Sequence, residues 1–123
     1  MKEVLIVGLG GFAGSISRYL IQLAVISRFT LLFPLGTFAI NLVGSLMVGL
    51  IFGYAERFQW MNPEWRLFLA IGFCGSFTTF SSFAFDNLRL LEDGNYYQLF
   101  WYVSLSLILG VALAWGGYTF ARG

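Results

Sequence analysis

The chain has 123 residues, of which 59% are hydrophobic, 20% aromatic and only 11% charged. A soluble domain usually carries about a quarter charged residues, and a small domain has little interior in which to bury apolar side chains. Lipid or partner chains must therefore cover much of this surface, and a net charge of +1 gives no reason to expect a nucleic acid partner.

Four stretches are long enough to cross a hydrocarbon core about 30 Å thick, which takes about 20 helical residues. They cover roughly residues 4–26, 35–55, 65–88 and 97–120. The first run is too long for the apolar core of a signal peptide, so we expect it to be a span. The sequence predicts an all-α membrane protein with a single four-span domain, residues 1–123.

The connections at 28–34, 56–64 and 89–95 carry the polar and helix-breaking residues. We expect a helix to start at residues 62–64, where a proline follows an asparagine, and a turn at residues 93–95, which include a glycine and an asparagine. Connections this short make neighbouring spans antiparallel.

Lysines and arginines give little topological bias. Four spans put both termini on one side of the membrane. That side holds Lys2, Arg57, Arg66 and Arg122, and the other holds Arg28, Arg89 and, near the end of the first span, Arg18. Orientation normally follows an excess of Lys and Arg in cytoplasmic loops. Charge alone therefore leaves two alternatives open, which are insertion in both orientations, permitting an antiparallel dimer, and one orientation set by other features.

The first span carries Gly10, Gly14 and Arg18 four residues apart, so that they share a helix face. Small residues allow helices in lipid to approach closely, which predicts that this face packs against another span. A charge within a span is usually paired or functional. The alternative for Arg18 is that its side chain extends to the lipid headgroups.

The second span carries Thr37, Asn41 and Ser45 with the same spacing. Lipid cannot satisfy the amide of Asn41, which either bonds a neighbouring helix or lines a wet path. The fourth span places Tyr102 and Ser106 on one face, together with Gly110. That series indicates a narrow polar track.

The third span has the strongest pattern. It is expected to be broken midway by residues 72–79, GFCGSFTT, because glycine and threonine both weaken a helix. Non-helical backbone inside a membrane is tolerated only where protein or a water-filled cavity surrounds it, and the carbonyls that it frees can coordinate a cation. Phe80 and Phe83 follow at helical spacing. Their positive ring edges suit an anion pathway, although plain packing is the alternative.

Some functions are excluded by what the sequence lacks. It contains no histidine, and its single cysteine, Cys74, rules out an internal disulfide and is expected to be a buried apolar side chain. No acid lies near the middle of a span, whereas a proton relay needs a buried titratable carrier. A cation channel would use an acidic ring, which is also missing. Arginine, asparagine, hydroxyls and aromatic edges are instead the donors that an anion pathway uses.

Three segments resemble the motifs of the Fluc (CrcB-type) fluoride channels. They are residues 10–19 (GGFAGSISRY), 36–44 (GTFAINLVG) and 72–83 (GFCGSFTTFSSF). The three segments follow one another in the same order as the family motifs, and the chain length and the number of spans also agree with the family. The resemblance covers essentially the whole chain.

The resemblance implies a passive, fluoride-selective channel that exports fluoride from the cytoplasm and lowers its toxicity. It implies an antiparallel homodimer in the cell (inner or plasma) membrane, with two pores and a central structural Na⁺. By motif position, the sodium ligands are the main-chain carbonyls of Gly75 and Thr78, the pore residues are Asn41, Phe80, Phe83, Tyr102, Ser106, Thr79 and Ser82, and Arg18 is structural or attracts anions.

The chain departs from the family pattern at Ser76, where glycine is common, and at Ser82, where threonine is common. Both remain small, so we expect the break to persist. Two alternatives remain beside the channel, a small proton-coupled multidrug-type exporter and a non-transporting membrane assembly subunit. An enzyme is not expected, because the sequence offers no nucleophile–base pair and no metal cluster.

Overall fold

The computed structural model describes residues 1–28, 33–58 and 62–123, and within these residues it contains helices and no strands. The elements are α1 (Lys2–Arg28), α2 (Leu35–Arg57), α3 (Pro63–Arg66), a π-helix (Leu67–Cys74), α4 (Gly75–Phe77), α5 (Phe80–Glu92) and α6 (Tyr96–Arg122). Four helical spans, with Pro63–Glu92 as the third, are long and apolar enough to cross a membrane, which confirms the predicted all-α, four-span architecture. Residues 29–32 and 59–61 of the predicted connections lie outside the described residues.

The third span begins and ends as local sequence predicts. The Asn62 side chain accepts a hydrogen bond of 3.0 Å from the Trp65 N–H, and Pro63 takes the first helical position, where its missing N–H costs nothing. At the other end Gly94 adopts a φ of +74°, which L side chains rarely adopt, and the Asn95 N–H closes the turn on the Leu90 carbonyl at 2.8 Å. The predicted helix start and the predicted turn are confirmed.

The first helix packs on residues 67–77 of the third span through glycines. A Cβ atom on Gly10 would clash with the Phe68 carbonyl and lie 3.1 Å from the Gly72 Cα, and one on Gly14 would clash with the Phe73 carbonyl. Because neither glycine has a side chain, the two backbones touch directly. The predicted packing face of the first span is confirmed.

The most extensive packing in the bundle is that of α2, the second span, on α6, the fourth span, and it also takes place through glycines. Gly49 lies against the Ala114 carbonyl, and a Cβ on Gly53 would lie 2.7 Å from the Ala121 Cβ. The four spans therefore form two close pairs, first with third and second with fourth.

The third span changes partner along its length. Its helical hydrogen bonding continues through Phe77, and the backbone then becomes extended at Thr78 (φ −88°, ψ 154°) and Thr79 (φ −152°, ψ 127°). The expected interruption over residues 72–79 is thus narrower than the sequence suggests, because Gly72 serves close packing against α1 and stays helical. After the bend, α5 packs against α6.

Both termini lie at one end of the bundle. The Lys2 Nζ is 3.4 Å from a Glu64 carboxylate oxygen, and Gly123 lies beside the Arg57 guanidinium. Large apolar side chains, among them Phe12 and Phe120, remain exposed along the outside of the helices. Cys74 is buried and is not in a disulfide, as predicted.

Candidate functional site

The site is built around the two extended residues of the third span. The Thr79 N–H donates to the Asn41 side-chain oxygen at 3.2 Å, and the Thr79 hydroxyl accepts from the Ser82 N–H at 3.4 Å. Buried main-chain polar groups need partners, and here side chains supply them where the helix does not. Asn41 therefore bonds a neighbouring span, as one of its two predicted roles requires.

These contacts release two carbonyls from helical pairing. In an uninterrupted helix the Gly75 carbonyl would accept from the Thr79 N–H, and the Thr78 carbonyl from the Ser82 N–H. Both N–H groups are given to side-chain oxygens instead. The Thr78 N–H and hydroxyl both bond the Cys74 carbonyl, at 3.0 and 2.8 Å, which closes the end of α4.

A third carbonyl, that of Ser76, has a side-chain donor. The Arg18 Nε–H donates to it at 3.1 Å across 58 residues of sequence, and both partners are half-buried. Arg18 thus lies against the bend in the third span. This contact accounts for the position of the side chain without an extension to the headgroups.

A cavity of about 370 Å³ opens beside the bend, between α2, α5 and α6. Its lining combines the apolar Val48, Leu107 and Ala114 with residues singled out from the sequence, which are Asn41, Ser45, Thr78, Thr79, Phe80, Phe83 and Ser106. Asn41 therefore also lines a cavity, so the two roles that the sequence left open for it are compatible.

The cavity carries hydrogen-bond donors that the protein does not use. The Ser106 Oγ is buried and has no hydrogen-bond partner in the described part of the chain. Because the amide oxygen of Asn41 accepts from Thr79, its NH₂ group is the part left for the cavity. Phe80 and Phe83 stand beside each other with ring centroids 5.8 Å apart, and Phe80 is 79% exposed.

Tyr102 lies between this cavity and a second one. Its ring is fully buried against Phe83, with centroids 4.9 Å apart, and its hydroxyl donates to an Asp86 carboxylate oxygen at 3.1 Å. Asp86 lines the second cavity, of about 470 Å³, together with Thr37 and Gln22. Contacts therefore link Phe83, which lines the first cavity, through Tyr102 to Asp86, which lines the second.

Not every predicted residue lines a cavity. Ser82 lies in the first turn of α5 and contributes its N–H to Thr79, and Gly75 is exposed at the start of α4. Neither belongs to the cavity linings, and the predicted residues Tyr102 and Arg18 are also absent from both.

Two polar residues of the second cavity, Gln22 and Asp86, were not predicted as site residues from the sequence. The Gln22 amide donates to the buried Thr37 hydroxyl at 2.7 Å, and its oxygen fits against Gly36, where a Cβ would clash. Gln22 continues the four-residue series of Gly10, Gly14 and Arg18, and that periodicity is the signal by which it could have been found.

A metal ion at this site would have to use neutral oxygen ligands. Among the described residues no group of three acidic, cysteine or histidine side chains is arranged to hold a metal. The released carbonyls of Gly75 and Thr78 are neutral, hard oxygen ligands. Such ligands suit a hard cation better than a transition metal.

Residues 5–118 match the family described as "CrcB-like protein, Camphor Resistance (CrcB)". A protein of Bacteroides fragilis named "Fluoride-specific ion channel FluC" is 48% identical over 122 residues, which cover 96% of this chain and 95% of the relative.

Two further relatives carry the same name. The protein from Chlorobaculum tepidum is 46% identical over 99% of this chain and 96% of its own length, and that from Gloeothece citriformis is 44% identical over the full length of both. The match therefore extends over all four spans and both cavities.

Four membrane-spanning helices, a family match over residues 5–118 and relatives of this similarity lead to one conclusion, that the chain is a multi-pass membrane protein of the CrcB-like family, to which the FluC fluoride channels belong.

Proposed function

We propose that this chain forms a passive, fluoride-selective channel that exports fluoride from the cytoplasm. The observation that carries the proposal is the cavity of about 370 Å³, which brings Asn41, Thr79, Phe80, Phe83 and Ser106 to one place. These residues come from three spans, and each offers a hydrogen-bond donor or an aromatic ring.

The chemistry of the cavity suits a small anion. Fluoride is strongly hydrated, so a pathway must replace its water with several donors at once. The Ser106 hydroxyl, which has no partner in the described chain, and the NH₂ group of Asn41 are such donors. The positive edges of the Phe80 and Phe83 rings stabilise an anion without holding it so tightly that it cannot leave.

The proposed direction of transport follows from acid–base chemistry. Hydrogen fluoride is neutral and enters cells from acidic surroundings, then dissociates in the more neutral cytoplasm. The trapped anion leaves through the channel down its electrochemical gradient. No titratable carrier is required, in contrast to a proton-coupled exporter.

We further infer a structural Na⁺ held by the main-chain carbonyls of Gly75 and Thr78. Support comes from the two hydrogen bonds that take the Thr79 and Ser82 N–H groups away from those carbonyls. When bound, the ion supplies a fixed positive charge that stabilises the bend. Two carbonyls are few for a cation, so ligands from a second subunit fit the proposal.

An antiparallel homodimer with two pores is the assembly that we propose. The 79% exposure of Phe80 and the open side of the cavity leave a pathway that one subunit does not enclose. Lipid tails would offer no donors there. A second copy would close the wall and bring a second pair of Gly75 and Thr78 carbonyls to the same centre.

A liposome assay tests the channel function. Vesicles that contain the purified protein are loaded with potassium fluoride. A potassium ionophore lets K⁺ leave together with fluoride, so that no membrane potential builds up against the efflux, and an electrode records the fluoride released. We expect rapid efflux that needs no proton gradient, and little efflux when chloride replaces fluoride. No fluoride efflux, or equal efflux of chloride, contradicts the proposal. Export of organic cations driven by protons would favour the exporter instead.

A further inference from the structure

Within the part of the chain that the structure describes, Arg18 makes one hydrogen bond, and that bond goes to a main-chain carbonyl. Its Nε–H donates to the Ser76 oxygen at 3.1 Å. The two ion pairs among residues 1–28, 33–58 and 62–123 join Met1 to Glu3 and Lys2 to Glu64, so Arg18 has no carboxylate partner there. The charge is therefore not neutralised by an acid of the described chain.

The accepting carbonyl belongs to the end of a helix. In an uninterrupted helix Ser76 would pair with the Phe80 N–H, but Phe80 lies beyond the extended residues Thr78 and Thr79. The last carbonyls of a helix lack partners, and a basic side chain can bond them and interact favourably with the negative end of the helix dipole. Arg18 occupies that position from another span.

The carbonyls at the bend are thereby divided into two groups. Cys74 is bonded by Thr78, and Ser76 is bonded by Arg18. The helical donors for Gly75 and Thr78 are taken by side chains. Of the two carbonyls between Gly75 and Thr78, that of Ser76 is thus occupied by the arginine.

We propose that Arg18 is a positioning residue that caps the bent third span at Ser76, so that the Ser76 carbonyl is withheld from a cation while the Gly75 and Thr78 carbonyls stay available. The proposal rests on the proposed function, since it assigns a role within the same pathway. It distinguishes capping from attraction of anions, the two roles that the sequence left open for Arg18.

The identity of the donor atom makes the two roles separable. The bond comes from Nε, and the Nε2 of glutamine is the same number of bonds from the backbone. Arg18→Gln therefore keeps a donor at this position and removes the charge. Arg18→Lys keeps the charge, but on a nitrogen one bond farther from the backbone. Arg18→Met has a side chain about as long as that of glutamine, with no hydrogen-bond donor and no charge.

The first measurement is fluoride efflux from liposomes for these three variants. Capping predicts that Arg18→Gln retains at least about half of the wild-type rate, whereas Arg18→Met loses roughly tenfold, the effect expected for a lost hydrogen bond to a charged donor. Anion attraction predicts that Arg18→Lys is near wild type and that Arg18→Gln is as slow as Arg18→Met. Efflux rates in the order that anion attraction predicts would overturn the proposal.

Arg28→Gln is the matched control. It removes an arginine from the exposed end of the same helix, away from the bend. It should conduct like the wild type. A loss equal to that of Arg18→Met would mean that total charge matters, and would also overturn the proposal.

The second measurement is the melting temperature of the purified protein in NaCl and in N-methylglucamine chloride. The wild type and Arg18→Gln should melt at a higher temperature in sodium, and Arg18→Met should lose most of that difference. An equal sodium shift in Arg18→Met contradicts capping. If Arg18→Met does not fold while Arg18→Gln does, the donor is needed and capping is supported, whereas folding of Arg18→Lys alone would refute it.

Failure of the proposed function has a different signature. If the wild type shows no fluoride efflux, the channel function is wrong, and the order of melting temperatures still tests the cap. If the wild type conducts but does not respond to sodium, the sodium site is wrong, and the order of efflux rates decides the role of Arg18.

Discussion

The side-chain oxygen of Asn41 accepts a hydrogen bond from the Thr79 main-chain N–H at 3.2 Å, and this bond ties the second span to the bend of the third. Asn41 also lines the cavity where Phe80, Phe83 and Ser106 meet, and its NH₂ group is not used by the bond to Thr79. A single amide thus serves structure with one end and the candidate pathway with the other.

Asn41→Asp should separate these two roles. Aspartate keeps an oxygen for the Thr79 N–H but has no NH₂ group and adds a negative charge. We expect the melting temperature to stay within a few degrees of wild type and fluoride efflux to fall by about tenfold or more, the size of one lost charge-assisted bond. Wild-type efflux from Asn41→Asp would show that the NH₂ group does not meet the ion.

Phe80→Ile and Phe83→Ile should lose fluoride efflux and retain the fold. Isoleucine fills similar space but has no positive ring edge. Phe85→Ile is the control, since Phe85 lies on the same helix, is exposed and does not line the cavity. Efflux and size-exclusion profiles of all three should be compared. A non-transporting assembly subunit predicts no difference among them.

Tyr102→Phe should slow fluoride efflux with little loss of stability. The ring would still pack on Phe83, but Asp86 would lose the hydroxyl that donates to it at 3.1 Å. One neutral hydrogen bond contributes about 1 kcal/mol to stability. A carboxylate with one donor fewer repels a passing anion more strongly, so Asp86→Asn in the Tyr102→Phe background should restore part of the rate. No recovery in the double variant would exclude this electrostatic explanation.

Gly14→Ala should destabilise the protein, and Gly8→Ala should not. A Cβ on Gly14 would clash with the Phe73 carbonyl, whereas one on Gly8 would meet nothing within 4 Å. Overpacking costs typically about 1–3 kcal/mol, while alanine in place of an open helical glycine contributes roughly 0.5–1 kcal/mol. Unfolding of both variants in detergent measures the difference. Equal stability would mean that the first and third spans do not touch at Gly14.

The C-terminus should be found on both sides of the membrane in similar amounts. The lysines and arginines divide four against three between the two ends, which is almost no topological bias. A tag after Gly123, probed with an impermeant reagent in cells and in inverted vesicles, reports its side. A tag confined to one side would rule out the antiparallel dimer.

Much of the fold follows from local sequence. Hydrophobic length alone places the four spans, the Asn62–Pro63 pair starts the third, and Gly94 ends it, because these features act through the neighbouring backbone. The small-residue series in the first span also predicted its packing face. The extent of the bend could not be read in this way, because glycine weakens a helix in one context and permits close packing in another, as Gly72 does against Gly10.

For the candidate site as well, the sequence predicts some features and the tertiary structure decides others. The sequence by itself determined which residues are polar within an apolar chain, and their four-residue spacing determined which of them share a face, among them Asn41, Arg18 and Ser106. Only the tertiary structure decided their partners, since Arg18 meets Ser76 across 58 residues and Asn41 meets Thr79 across 38. Helical periodicity acts over a few residues, whereas these contacts depend on how glycine-lined helices approach one another and on where the third span changes direction.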